Sequence, residues 1–159
     1  MDADKLSWDA IAGACAGLAR DIRDGGPLPA VLAGISRGGL IPAVMVAHHL
    51  GLRDVRAAGL ARTAGDEVNA AKVPVPVNTS PGSLGDLDGL DVLIVDDVAG
   101  SGATLAAAAR LAREAGAARV RTAVCIVNDG HWGGGPLPDY VAIHAGRWVV
   151  FPWEDSWQS

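Results

Sequence analysis

Apolar residues recur every three or four positions along Trp8, Ile11, Cys15, Leu18 and Ile22, with Ser7 in front of them and Gly25-Gly26 behind. That spacing predicts an amphipathic helix, capped by the Ser7 hydroxyl and stopped by the glycines. The apolar run from 30 to 35, bounded by Pro29 and a glycine-bearing turn, predicts a buried strand, and the pattern from Leu40 to Leu50, closed by Gly51, predicts a second helix. Val55 to Leu60 reads as another strand. From Arg62 to Leu87, Gly, Pro, Asn, Ser and Thr are frequent and periodicity is weak, which predicts a long loop. The strand, turn and helix pattern then returns as Val92 to Val95, Gly100 to Gly102, and a helical face of Leu105, Ala108, Leu111 and Ala115 ending at Gly116. Val120 to Val127 predicts one more buried strand. Strands alternating with helices need crossover connections, so the pattern predicts an α/β domain with a mostly parallel central sheet flanked by helices. Gly133-Gly134-Gly135, Tyr140-Val141, Arg147 to Phe151 and the tail read as an appendage to that sheet, with Trp148, Trp153 and Trp157 crowded into it.

The length of 159 residues suits one domain, and a half-apolar chain with 19% charged residues excludes a disordered or fibrous one. A net charge of −5 with no Lys/Arg-rich run argues against nucleic acid as a partner. No apolar stretch has membrane-helix length, and Met1-Asp2-Ala3-Asp4 is acidic where a signal peptide is basic, so no membrane association and a cytoplasmic location are expected. Cys15 and Cys125 fall on a helix face and a buried strand and read as reduced core thiols.

The chemistry concentrates in three segments. In Val92-Leu93-Ile94-Val95-Asp96-Asp97-Val98-Ala99-Gly100-Ser101-Gly102-Ala103-Thr104, two adjacent carboxylates stand at the carboxyl end of a predicted strand, where open parallel sheets bind ligands. Beyond them Gly100 and Gly102 let backbone amides approach an anion, Ser101 and Thr104 add hydroxyls, and the next helix turns its positive end to the same point. This is a predicted phosphate cradle. The missing lysine excludes a Walker loop, and acids that precede the glycines fit a dinucleotide fingerprint poorly. A second strand-to-helix turn, Gly34-Ile35-Ser36-Arg37-Gly38-Gly39-Leu40-Ile41-Pro42, offers amides and one guanidinium to another oxyanion. In Arg147-Trp148-Val149-Val150-Phe151-Pro152-Trp153-Glu154 an indole can stack on a heterocycle while strand backbone bonds its polar edge.

The segment from Val92 to Thr104 resembles the phosphoribosyl-diphosphate-binding motif of the type I phosphoribosyltransferases: an apolar strand, two acids, two small or apolar residues, then a Gly/Ser/Thr turn. The turn from Gly34 to Pro42 is similar to that family's diphosphate loop, and the segment from Arg147 to Glu154 to the base-binding segment of its bacterial and archaeal xanthine/guanine members. The resemblance implies a type I phosphoribosyltransferase fold in a single domain over residues 1–159, with a small C-terminal hood over 128–159. It implies a transferase of purine salvage that moves the 5-phosphoribosyl group from phosphoribosyl diphosphate to a guanine-, xanthine- or hypoxanthine-like base. The products would be a nucleoside 5′-monophosphate and diphosphate, the cofactor Mg2+, and the assembly a homo-oligomer, dimer or tetramer.

Carried over by position, Asp96 and Asp97 would embrace the ribose hydroxyls and influence bound magnesium. Gly100, Ser101, Gly102, Ala103 and Thr104 would hold the 5′-phosphate, with Ala99 binding substrate beside them, and Ser36, Arg37, Gly38 and Gly39 the diphosphate, with Arg37 gripping the leaving group. Trp148 would stack on the base and the Val149 backbone would contact it. Residues 62–81 fall where the family carries its mobile catalytic loop, which would bring Thr63 and Lys72 to the diphosphate.

The chain departs from the family pattern at two points. Gly100 stands where 6-oxopurine members carry an acid/base aspartate, and no lysine follows Lys72, so the lysine that recognises the 6-oxo group, expected near Val127-Asn128, is missing. Asn128, Asp129, Arg147 and Glu154 are the candidates to replace that recognition, and His131 and Trp132 to line the base pocket. Two alternatives follow: a phosphoribosyltransferase for a non-purine heterocycle, and a non-catalytic regulator that senses phosphoribosyl diphosphate.

Overall fold

The computed structural model describes residues 3–63 and 72–154, and the side chains among them other than those at 62–63 and 72–74. The elements run β1 (Asp4–Lys5), α1 (Trp8–Asp24), β2 (Val31–Ser36), α2 (Leu40–Leu50), β3 (Val55–Thr63), β4 (Lys72–Asn78), β5 (Asp91–Ala99), α3 (Ala103–Glu114), β6 (Arg119–Asn128), β7 (Tyr140–Ala145) and β8 (Val149–Val150). Six strands form one sheet in the order β4-β3-β2-β5-β6-β7, parallel except for the edge strand β4.

Each face of the sheet is covered because the strands are apolar on both sides, as parallel strands must be. Helices α1 and α2 bury Ile11, Leu18, Ile22 and Val46 against Leu32, Leu93 and Ile126 on one face, and α3 covers Val31, Ile94 and Val124 on the other. Full burial of a side chain such as Ile11 or Leu18 stabilises by about 1.5–3 kcal/mol. Ser7 caps α1 as predicted, its hydroxyl accepting from the Ala10 N–H at 3.1 Å. The order of strands reverses between β2 and β5: the chain runs from β2 outward to β3 and β4, then returns to β2's other side. That switch point opens a crevice at the strands' carboxyl ends, and the two predicted anion turns, after β2 and after β5, border it.

The structure differs from the sequence pattern in four places. The predicted loop from 62 to 87 contains β4, whose prolines masked the strand signal of its alternating valines; prolines lack an N–H for the ladder and are tolerated because β4 is an edge strand paired, among the described residues, with β3 alone. Strand β5 continues through Asp96 and Asp97 to Ala99, beyond its apolar run. Strand β7 is a full member of the main sheet, paired in parallel with β6, so the chain after β6 is more than an appendage. The N-terminal β1 pairs with β8, tying the start of the chain to the aromatic C-terminal segment. Residues 64–71, the side chains of Thr63 and Lys72, and Trp157 lie outside the described residues.

Candidate active site

Asp96 and Asp97 close the β5 strand at the crevice. The Asp96 carboxylate accepts from the Asp97 N–H at 2.9 Å and the Asp97 carboxylate from the Val98 N–H at 2.7 Å, so both are held by local backbone. Burial, then the neighbouring Asp97 charge, pushes the Asp96 carboxyl well above the usual carboxylate range, and burial pushes Asp97 up as well. Two desolvated acids side by side favour a shared proton or a cation.

The turn after β2 packs directly on this pair. A Cβ on Gly38 would overlap the Asp97 carboxylate, and one on Gly39 would lie 2.9 Å from Asp96 Oδ1 and 2.7 Å from the Val95 carbonyl. Only glycine lets the two strand ends come so close. The Ser36–Arg37 peptide is cis, and the Ser36 hydroxyl donates to the Ala58 carbonyl of β3 at 3.4 Å, so it braces the turn. Arg37 is exposed at the apex.

After β5 the chain turns through Gly100 and Ser101 to Gly102, whose φ of +85° belongs to the left-handed region and which caps the N-terminus of α3. Gly102 offers no side-chain cap, the Ser101 hydroxyl accepts from the Ala103 N–H at 3.4 Å, and the N-terminus of α3 borders the crevice. A cavity of about 240 Å³ lies above it, lined by Asp96, the residues from Val98 to Leu105, Asn128, His131, Trp148, Val149, Phe151 and Glu154. The structure therefore brings Ala99, Gly100, Ser101, Gly102, Ala103, Thr104, Asn128, Trp148 and Val149 to one cavity, with Asp96 in its wall and Asp97 facing the Gly38 turn.

The C-terminal aromatics divide into two roles. Phe151 is 2% exposed and stacks on Trp153 with ring centroids 4.6 Å apart, and Trp153 in turn meets Trp8 at 5.8 Å. Trp148 is 59% exposed at the cavity mouth. The N–H groups of Asp4 in β1 and of Leu6 just after it donate to the carbonyls of Trp148 and Val150, at 2.9 Å each, and because carbonyls alternate along a strand the Val149 carbonyl is turned to the other side. Glu154 accepts from the Phe151 N–H at 2.9 Å and fixes this turn.

Asn128, 6% exposed, uses its amide internally: Oδ1 accepts from the Gly130 N–H at 3.2 Å and Nδ2 donates to the Arg147 carbonyl at 3.5 Å. It shapes the wall as well as lining it. Asp129 faces away to His144, Oδ1 to Nδ1 at 2.8 Å. Of the two residues expected to line the base pocket, His131 lines the cavity, whereas Trp132 stands behind the turn after β5. The Trp132 ring lies against that turn, 3.0 Å from where a Gly102 Cβ would be, while Nε1 donates to the Gly135 carbonyl at 2.9 Å. Among the described residues, no three His, Cys, Asp or Glu side chains gather to hold a metal ion, and no helix is long and apolar enough to cross a membrane.

The sequence model of the phosphoribosyl transferase domain family matches residues 6–159. The chain belongs to this family. A xanthine-guanine phosphoribosyltransferase of Gluconobacter oxydans is 33% identical over 135 residues, covering 82% of this chain and 71% of that protein. The crystal structure of a purine phosphoribosyltransferase from Pyrococcus horikoshii is 32% identical and superposes with a TM-score of 0.79, over 97% of this chain and 95% of that one. A hypothetical protein from Neisseria gonorrhoeae with bound ppGpp has a TM-score of 0.76 at 22% identity, covering 97% and 91%; at that identity the likeness concerns the fold alone. The phosphoribosyltransferase fold expected from the motifs is thus the fold of this chain, and the protein is an enzyme of the phosphoribosyltransferase class.

Proposed function

We propose that this phosphoribosyltransferase transfers the 5-phosphoribosyl group to a purine base of the guanine, xanthine or hypoxanthine type, releasing diphosphate and a nucleoside 5′-monophosphate. The observation that carries this reading is the packing of two anion turns about one acidic pair, the Gly38-Gly39 turn lying on Asp97 and Asp96, with an exposed indole, Trp148, across the same cavity. The Gly100 to Thr104 turn and the α3 amides hold the 5′-phosphate, and Arg37 with Ser36, Gly38 and Gly39 holds the diphosphate. Trp148 stacks on the base and the outward Val149 carbonyl accepts from it. Positioning of this kind can supply about 7–11 kcal/mol of the barrier. The purine activity of the Gluconobacter and Pyrococcus relatives supports the acceptor.

The acidic pair fits magnesium: it is an all-oxygen donor set at the strand end, and a cation would offset the mutual repulsion of the two neighbouring carboxylates that, after burial, raises Asp96. Asp96 and Asp97 would hold the ion with substrate oxygens and water, and the ion would neutralise charge on the departing diphosphate. The reading also includes a cytoplasmic homo-oligomer, dimer or tetramer, supported by apolar side chains left exposed, Val44 on α2 and Val75 and Val77 on β4. Sedimentation at monomer mass would count against that part.

The test is incubation with magnesium, phosphoribosyl diphosphate and single bases: guanine, xanthine, hypoxanthine, adenine, uracil, orotate and an imidazole base, with products separated by chromatography. Nucleotide from a 6-oxopurine is the expected result. Nucleotide from a non-purine base alone would replace the acceptor, and tight sugar-phosphate binding with no product would favour a sensor.

A further inference from the structure

We propose that His131 is the catalytic base that takes the proton released when the acceptor nitrogen bonds to C1′; the inference rests on the purine-transfer reading above. A purine carries one N–H on its five-membered ring. When the N–C1′ bond forms and the C1′–O bond breaks, the electron pair leaves on diphosphate and the purine must give up that proton. A neutral imidazole takes it, becomes imidazolium and returns it to water in the next cycle.

Three side chains lining the cavity titrate: Asp96, Glu154 and His131. Glu154 is committed to the Phe151 N–H at 2.9 Å, and Asp96 lies 8% exposed at the cavity floor, engaged with Asp97. His131 lines the cavity beside Gly100. A Cβ on Gly100 would have His131 Cβ as its near neighbour at 3.9 Å, so His131 stands next to the position where the chain carries no side chain of its own. A base lying between Trp148 and His131 would fill that position.

The residue is also held in place from both sides. Its N–H donates to the Asn128 carbonyl at 3.0 Å, closing a turn that the buried Asn128 amide braces through Gly130, and the next residue, Trp132, is seated on Gly102. An imidazole ring nitrogen can accept a proton from an N–H within hydrogen-bond reach, which is the task of a general base. The charged groups around it are Asp96, with Asp97 behind it, and Glu154 across the cavity, Asp129 on its own loop, paired to His144 at 2.8 Å, and Arg147 beside Asn128.

The test compares the wild-type enzyme with His131→Gln and His131→Ala, using magnesium, phosphoribosyl diphosphate and guanine or hypoxanthine across pH. We expect kcat of His131→Gln to fall by about 100-fold, as loss of a general base does, with KM for phosphoribosyl diphosphate within about twofold. The acidic limb that imidazole gives kcat/KM disappears, and free imidazole partly restores His131→Ala. Full activity of His131→Gln with an unchanged pH profile would overturn the assignment while leaving purine transfer intact. So would a rise in KM for phosphoribosyl diphosphate with the pH profile kept, which marks a wall residue only. A wild-type enzyme inactive on every purine overturns both readings together.

Discussion

The Asp97 carboxylate rests on the α-carbon of Gly38, closely enough that no side chain fits between them. The contact joins the two halves of the site, since Gly38 belongs to the turn after β2 and Asp97 to the end of β5. Gly38→Ala must therefore push the turn after β2, proposed to hold the diphosphate, off the acidic pair. The expected outcome is a folded protein, by circular dichroism, whose kcat/KM for phosphoribosyl diphosphate falls on the order of 100-fold, the cost of misplacing reacting groups by about 1 Å. Wild-type kinetics in this variant would show that the turn does not hold the leaving group.

Asp97→Asn separates stability from function. Burial raises the Asp96 and Asp97 carboxyls in the folded state, so between their unfolded and folded pKa values the native protein binds more protons than the unfolded chain. Stability of the metal-free protein therefore declines as pH rises through the folded values, and at neutral pH the charged pair costs stability. Asparagine keeps the bond from the Val98 N–H through its carbonyl oxygen and removes one charge. Metal-free Asp97→Asn should melt higher than wild type at pH 7, with a flatter pH dependence; 1 kcal/mol corresponds to about 2–4 °C in a domain of this size. Its magnesium-dependent turnover should drop steeply. Calorimetry from pH 4 to 8, with and without magnesium, checks both, and equal melting curves would show that the pair is well solvated.

Trp132→Ala removes the ring that backs Gly102. The turn after β5 has a left-handed residue at its corner and is braced from within by the Ser101 hydroxyl on the Ala103 N–H, so this ring is its support from outside the turn. KM for phosphoribosyl diphosphate should rise about tenfold with KM for the base little changed. A purely global loss of stability, with both constants kept, would reduce Trp132 to ordinary packing.

The parts of this fold that were legible in the sequence are those with a local cause. Ser7, Gly51 and Gly102 mark helix ends by their own chemistry, and the residues from Val92 to Thr104 state a strand, an acidic pair at its end and a glycine turn into a helix within thirteen residues. What stayed hidden depends on contacts across the chain. β4 is a strand because β3 offers it an edge, and the Val-Pro alternation was the available signal. β1 exists because β8 does. The buried Arg121, bonded to Tyr140, the Pro27 carbonyl and Asp91, looks like a surface arginine until β6 is placed between β5 and β7. Trp132's seat on Gly102 had no sequence spacing to announce it.

Trp148 and Trp153, five residues apart, should respond to alanine in opposite ways. Trp153 sits between Phe151 and Trp8 and packs on the α1 side of the core, so its removal leaves a gap that the ring cluster cannot close. A loss of about 2 kcal/mol in urea unfolding is expected, below the 3–5 kcal/mol of a fully buried aromatic because Trp153 is only partly buried. Trp148 is exposed at the cavity mouth, so Trp148→Ala should leave the unfolding midpoint nearly unchanged. Stacking of an aromatic side chain on a base contributes about 1–3 kcal/mol, so KM for the base should rise by about tenfold or more, with KM for phosphoribosyl diphosphate kept. If Trp148→Ala instead lost stability and kept its KM for the base, the indole would belong to the packing of the C-terminal segment, and base recognition would rest on the Val149 backbone and the His131 wall.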